Sequence, residues 1–229
     1  MSFGDKTVIK DLSFDVKRGE IFGLLGSNGS GKTTIIRTLL GLYRPTAGEL
    51  LINQGLYNPE DDKFIVGYLP EERGLYRKET VIDTMIYFGR LKGLKNPRAW
   101  SENYLRRVNL LDKINDKVEK LSGGQQQKIQ LGLTIMNQPK LLILDEPTKG
   151  FDPVNRRLLM DIIDELHQAG SSIILITHYM DEVERLCGRA LLLKDGVARA
   201  YGPISEIRQS FNNKTLDQIF IDVYGENHV

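Results

Sequence analysis

A chain of 229 residues, 41% of them hydrophobic, can bury a sizeable core and has the length of one large domain or a core with a subdomain. Its 31 basic residues against 30 acidic ones leave a formal charge of +1, which excludes the global basic field that drives nucleic-acid binding. The single cysteine, Cys187, excludes an internal disulfide, fits a reducing compartment and reads as a small buried packing residue. The longest apolar runs, Leu141 to Leu144 and Ile173 to Ile176, fall far short of the ~20 residues a membrane helix needs. Asp5, Lys6, Lys10 and Asp11 break up any signal-peptide pattern, so the chain is expected to be cytoplasmic and to reach a membrane only through another protein.

Leu12, Phe14 and Val16 alternate with Ser13, Asp15 and Lys17, which predicts a half-exposed strand of an antiparallel pair. Glu20 to Leu25 reads as a buried strand, and a helix from about Lys32 to Leu40 follows a glycine-rich loop. From about Glu79 to Met136 the pattern is helical without intervening strands: Val81 to Leu91, Arg98 to Val108, and a third helix starting near Ser122. Leu141 to Asp145 and Ser172 to Thr177 are short apolar strands separated by a helical pattern from Pro153 to Ala169, and this alternation argues for a parallel sheet. Asp195-Gly196 marks a hairpin turn within Ala190 to Tyr201. Two short helices with a break at Asn212 to Lys214 complete the reading. The expectation is one domain over 1–229, with an α/β core from 1–78 and 137–229 and a helical subdomain inserted at 79–136.

Gly26 to Thr33, GSNGSGKT, fits the pattern G-x-x-x-x-G-K-[ST] in the strand–loop–helix context that phosphate binding requires. Glycines 26, 29 and 31 let the backbone wrap a polyanion at a helix N-terminus. Lys32 is placed to reach the β- and γ-phosphates and the Thr33 hydroxyl to bind Mg²⁺. In LLILDEP, an apolar strand delivers Asp145 and Glu146 to its C-terminal end, where ligands of open α/β sheets bind. Ser122 stands at an N-cap position, so LSGGQ presents a helix N-terminus and two glycines. GFD (Gly150 to Asp152) and Thr177-His178 follow in order.

These five segments together resemble the ATP-binding cassette (ABC) ATPases, and the resemblance runs from the loop almost to the end of the chain. It implies a phosphate-loop NTPase (RecA-like) core with a mainly parallel sheet, an N-terminal antiparallel β portion and an inserted helical subdomain. It also implies ATP and Mg²⁺ as cofactors. ATP would be held by Gly26, Ser27, Asn28, Gly29, Ser30, Gly31, Lys32, Thr33 and Thr34, with Phe3 stacked on adenine. Ser122, Gly123, Gly124, Gln125 and Asp152 would serve the nucleotide of an opposite subunit in a head-to-tail homodimer. Asp145 would hold Mg²⁺, Glu146 would activate water, and His178 would contact the γ-phosphate. The family normally places another strand before Phe3, where this sequence has only Met1 and Ser2, and the expectation is a trimmed or late-starting N-terminus.

GYLPEERGLY (Gly67 to Tyr76) departs from the common pattern, with Glu71 where most members have glutamine. A carboxylate there can face the metal directly. Pro70 to Tyr76 resembles the sodium-efflux (NatA-like) and drug-efflux branch, and Thr215 to Phe220 resembles the ends of exporter ATPases. The implied function is the ATPase subunit of a membrane exporter with a separate transmembrane permease and no nucleic-acid partner. The other class weighed is a soluble family member acting on a non-transport partner. Its chromosome and repair branch carries long coiled coils, which the short helical insertion here does not match.

Overall fold

Alternating strand and helix signals are realised in the computed structural model, which describes residues 1–4, 6–52, 55–56, 58, 65–72 and 74–225. In chain order the elements are β1 (Ser2–Phe3), β2 (Lys6–Thr7), β3 (Ile21–Leu25), α1 (Lys32–Leu39), β4 (Leu51–Ile52), β5 (Gly55–Leu56), β6 (Val66–Leu69), α2 (Val81–Leu91) and α3 (Pro97–Arg107). They continue with α4 (Gly123–Ile135), β7 (Leu141–Asp145), α5 (Pro153–Gln168), β8 (Ser172–Ile176), α6 (Met180–Leu186), β9 (Arg189–Lys194), β10 (Val197–Pro203), α7 (Ile204–Ser210) and α8 (Leu216–Gly225). The chain divides into two compact units, residues 1–63 with 172–229 and residues 64–171.

In the first unit β3 is buried along its whole length, as a strand flanked on both edges must be. It pairs in parallel with β8, Ile21 opposite Ile173, and with β9, Phe22 opposite Arg189. β10 closes that edge antiparallel to β9 through the predicted Asp195-Gly196 turn. Short antiparallel pairs, β1 with β2 and β4 with β5, supply the N-terminal β portion. Cys187 is buried, as its residue type suggested, and desolvation raises its thiol pKa.

The predicted strand at Leu12 to Val16 does not form. Exposure does alternate along these residues, but among the described residues none pairs with them in a ladder. Side chains hold this backbone instead: the Asp15 amide donates to the Tyr201 hydroxyl at 3.0 Å, and the Lys17 amide donates to Glu20 Oε1 at 2.5 Å. Arg189 completes the cluster with ion pairs to Asp15 at 3.2 Å and Glu20 at 3.0 Å.

In the second unit β6 and β7 run parallel, Val66 opposite Leu141. Thr80 caps α2 by accepting the Asp83 amide at 3.1 Å, and Asn96 caps α3 ahead of Pro97. α4 is buried almost throughout, which explains its unbroken run of core residues from Gln127 to Ile135. Tyr104 of α3 lies across Gly132 of α4 and donates its hydroxyl to the Lys128 carbonyl at 2.6 Å. Among the described residues, no helix is long and apolar enough to cross a membrane.

Candidate nucleotide site

The phosphate loop leaves β3 and enters α1 through a glycine, Gly31 at φ 113°, so no side chain caps the helix. Its N-terminal amides therefore remain available for an anion. A Cβ on Gly26 would sit 2.4 Å from Ser30 Oγ and 2.7 Å from the Leu193 carbonyl, while one on Gly31 would sit 2.5 Å from Ile9. Close approach of backbone requires glycine at 26, whereas at 31 the Ile9 side-chain end can move and the positive φ is what favours glycine. Gly29 takes φ 81° with open space around it, so its requirement is conformational. Lys32 folds over the loop and donates to the Gly26 carbonyl at 2.6 Å and the Ser27 carbonyl at 3.0 Å. Among the described residues the buried Ser30 Oγ has no hydrogen-bond partner, which leaves a polar atom of the loop to be satisfied. Ser27, Thr33 and Thr34 lie at the accessible mouth with Asn28.

Two further predicted residues belong to this unit. Phe3 is 43% exposed and meets Tyr43 edge-on, with ring centres 5.1 Å apart. Tyr43 was not singled out from the sequence, since nothing local marks it as the partner of a ring forty residues away. His178 is exposed one residue beyond the Thr177 hydroxyl, which donates to the buried carboxylate of Glu182 at 2.9 Å and accepts the Tyr179 amide at 3.1 Å. That pair of bonds fixes the end of β8 from which His178 projects.

The second unit gathers the acidic residues. β7 ends at Asp145, and Glu146 takes a left-handed φ of 50°, an uncommon conformation for a side-chain-bearing residue that clusters at functional sites. Lys149 and Phe151 donate backbone bonds to the Glu146 and Thr148 carbonyls, coiling the turn tightly after the strand. Glu71, Glu72, Gln127, Glu146, Lys149 and Gly150 line a cleft of about 350 Å³. Within it Glu71 Oε1 forms an ion pair with Lys149 Nζ at 2.5 Å. Gln130, a buried α4 residue the motifs do not include, donates to the Glu72 carbonyl at 3.1 Å and so tethers the Glu71 segment. Arg73 of that segment lies outside the described residues.

Ser122 is the N-cap of α4 in a full capping box: its Oγ accepts the Gln125 amide at 3.3 Å, and its own amide donates to Gln125 Oε1 at 2.8 Å. Ser122 is exposed, and Gly123 and Gly124 are half-buried. A Cβ at Gly124 would stand 3.1 Å from the Phe151 ring, a tight contact that the ring would have to yield to by a few tenths of an ångström. Asp152 next to it caps α5, accepting the Val154 and Asn155 amides at 3.0 Å each. The Asn155 backbone bond, followed by its side-chain amide, holds the Asp152 carboxyl below the usual carboxylate range.

An α/β unit with a phosphate loop, accompanied by a strand-end acid pair and a capped LSGGQ helix, defines a nucleotide-hydrolysing protein of the phosphate-loop class. Residues 9–149, more than half of the chain, match the model of the ABC transporter family. An uncharacterized ABC transporter ATP-binding protein of Methanocaldococcus jannaschii is 46% identical over 207 residues, covering 90% of this chain and 75% of that protein. Nod factor export ATP-binding protein I of Bradyrhizobium diazoefficiens is 39% identical, over 88% of this chain and 67% of its own length. A solved structure of an ATP binding subunit of an ABC transporter shares the fold with a TM-score of 0.87 and 30% identity, covering 96% of this chain and 95% of that one. The dimeric structure of a post-hydrolysis state of an ATP-binding cassette, bound to ADP and Pi, has a TM-score of 0.79 at 23% identity, covering 89% and 94%, a likeness of fold alone.

The chain belongs to the ABC transporter family. It is an ATPase, the ATP-binding subunit of an ABC transporter.

Proposed function

We propose that this chain powers an exporter of the sodium- or drug-efflux type, through ATP-driven head-to-tail dimerisation of two copies bound to a separate transmembrane permease. The observation that carries the reading is the exposed Ser122 with its two glycines at the N-terminus of an otherwise buried helix. A buried helix that leaves only its positive end accessible suits an anion brought by another molecule. The family's dimer uses that end for the γ-phosphate held by the opposite subunit. Export is supported by the relative named for Nod factor export and by the Glu71 segment.

In this reading Gly26 to Thr34 bind the ATP phosphates through backbone amides, with Lys32 neutralising the β- and γ-phosphates and Phe3 against adenine. Thr33 and Asp145, joined by Glu71, would hold Mg²⁺, which neutralises phosphate charge during transfer. Among the described residues no three metal-binding side chains cluster, as suits an ion that takes most of its ligands from nucleotide and water. Glu146 orients and deprotonates the attacking water, and His178 steadies the γ-phosphate. Ser122 to Gln125 and Asp152 act on the partner copy's nucleotide. Tyr76, Tyr87 and Phe88 form a ring cluster, with Tyr76 55% and Tyr87 50% exposed, and we assign this face of the second unit to the permease's cytoplasmic segment. The chain is thus peripheral on the inner membrane face.

Glu146→Gln removes the general base and is expected to slow hydrolysis ~10²–10⁴-fold, roughly 3–5.5 kcal/mol. The variant still binds MgATP and elutes as a dimer with nucleotide and as a monomer without it. Hydrolysis at the wild-type rate would remove Glu146 from its role. A dimer independent of nucleotide would overturn the closure mechanism.

A further inference from the structure

The phosphate loop rests on the turn end of the β9–β10 hairpin. The Leu193 carbonyl occupies the space a Gly26 side chain would need, 2.7 Å from the Cβ position, and Leu193 Cδ2 lies 3.5 Å from that of Gly31. Gly196 donates its amide to the Ser30 carbonyl at 3.0 Å, and its own carbonyl accepts Lys10 at 2.9 Å. The hairpin is in turn gripped by the last turn of α8. The Tyr224 hydroxyl donates to that same Leu193 carbonyl, and Lys194 Nζ donates to the Val223 carbonyl at 2.6 Å while lying 6.0 Å over the Tyr224 ring. Burial raises the Tyr224 phenol to about 12, so it stays a neutral donor at physiological pH. At its other end α8 buries Leu216 and Ile219 and receives Glu184 on the Leu216 amide at 3.4 Å. The helix is anchored at both ends, and one tyrosine oxygen bridges it to the carbonyl under Gly26.

We propose that Tyr224 is a positioning residue for nucleotide binding: through the Leu193 carbonyl its hydroxyl fixes the Gly26 limb of the phosphate loop and so sets affinity for the di- and triphosphate. This deepens, and rests on, the reading that residues 26–34 bind the ATP phosphates. No part of the recognised motif pattern specifies the residue, which lies almost 200 positions downstream.

Tyr224→Phe keeps the ring against Phe220, 4.3 Å between centres, and under Lys194, and removes only the hydroxyl. Loss of one such bond corresponds to a change of ~2–12-fold. ATP and ADP titrated calorimetrically into the full chain are expected to bind about fivefold more weakly, with AMP unchanged and KM for ATP raised by the same factor at constant kcat. Unchanged ATP affinity, equal weakening of AMP, or a fall in kcat at constant KM would each overturn the proposal. A merely structural hydroxyl would lower the melting temperature without the split between AMP and ATP. If the Phe variant folds poorly, Lys194→Met loosens the same helix end and is expected to weaken ATP over AMP in the same sense; no such preference overturns the proposal. A wild-type chain that fails to bind ATP would instead defeat the phosphate-loop reading itself.

Discussion

Gly132→Ala sets two effects of opposite sign against each other. In a helix interior alanine is favoured over glycine by about 1 kcal/mol, so propensity alone predicts stabilisation. At this position a Cβ would lie 2.4 Å from Tyr104 Cε1 and under 3.0 Å from two more ring atoms, where carbon contacts are comfortable at ~3.5–4.0 Å. The ring must retreat by more than ~1 Å. It is 6% exposed, stacked on Trp100 at 5.2 Å and tied to the Lys128 carbonyl, so it has no free direction. Overpacking of this kind costs ~1–3 kcal/mol, and a strained hydroxyl bond adds about 1 kcal/mol. The net expectation is destabilisation by about 2 kcal/mol, or a melting temperature roughly 4–8 °C lower for a chain of this size. Calorimetric melting of wild type, Gly132→Ala, Tyr104→Leu and the double variant tests this. With the ring gone the alanine should become stabilising. A single variant that melts at or above wild type would refute the packing argument.

Gly26→Ala drives a Cβ into the Leu193 carbonyl and displaces the loop; since ~1 Å of misplacement is worth up to ~10²-fold, ATP affinity measured by calorimetry should fall at least tenfold. Wild-type affinity in that variant would show that the loop accommodates bulk there. Asp152 has its folded carboxyl held below the ordinary value of about 3.9 by the Asn155 amide, so the native state binds fewer protons than the unfolded one. Its contribution to α5 is therefore full above that ordinary value and is lost as pH falls through the folded one. Acid unfolding followed by circular dichroism should be less steep in Asp152→Asn over that window, and an unchanged acid limb would contradict the capping role.

Helices read most accurately from this sequence, because their caps and periodicity are local. Ser122 stands where its cap was expected, and α2 spans Val81–Leu91 as predicted. The loop glycines are legible for a similar reason: Gly26 meets a close approach, and Gly29 and Gly31 take a positive φ at a fixed spacing. The strand expected at Leu12 to Val16 shows the limit: alternation reports which residues face the core, while a strand also needs a neighbour to pair with. Here Tyr201, Arg189 and Glu20, all distant or turned back on the chain, take the backbone and carboxylate bonds instead. The residues sequence reasoning missed share that cause. Tyr43, Gln130, Lys149 and Tyr224 acquire their roles only from what folding sets beside them.

The two lysines of the motif regions show how resting contacts suit each position. Lys32 rests on carbonyls of its own loop, bonds with a charged donor that contribute ~1.5–3 kcal/mol each once water is accounted for. A phosphate oxygen would add an opposite charge to the acceptor, so in the proposed function the side chain gains Coulomb attraction by turning to nucleotide. Lys149 is paired with a full charge on Glu71, yet both side chains are about half exposed, and such pairs contribute roughly 0–1 kcal/mol. The pair therefore neutralises a carboxylate where most of the family has an amide, through an interaction weak enough to be given up under the proposed role of Glu71 at the metal. The Glu71 segment is instead held by backbone, through Gln130 on the Glu72 carbonyl. That bond does not involve the ion pair, so loss of the pair leaves the Glu72 carbonyl tethered.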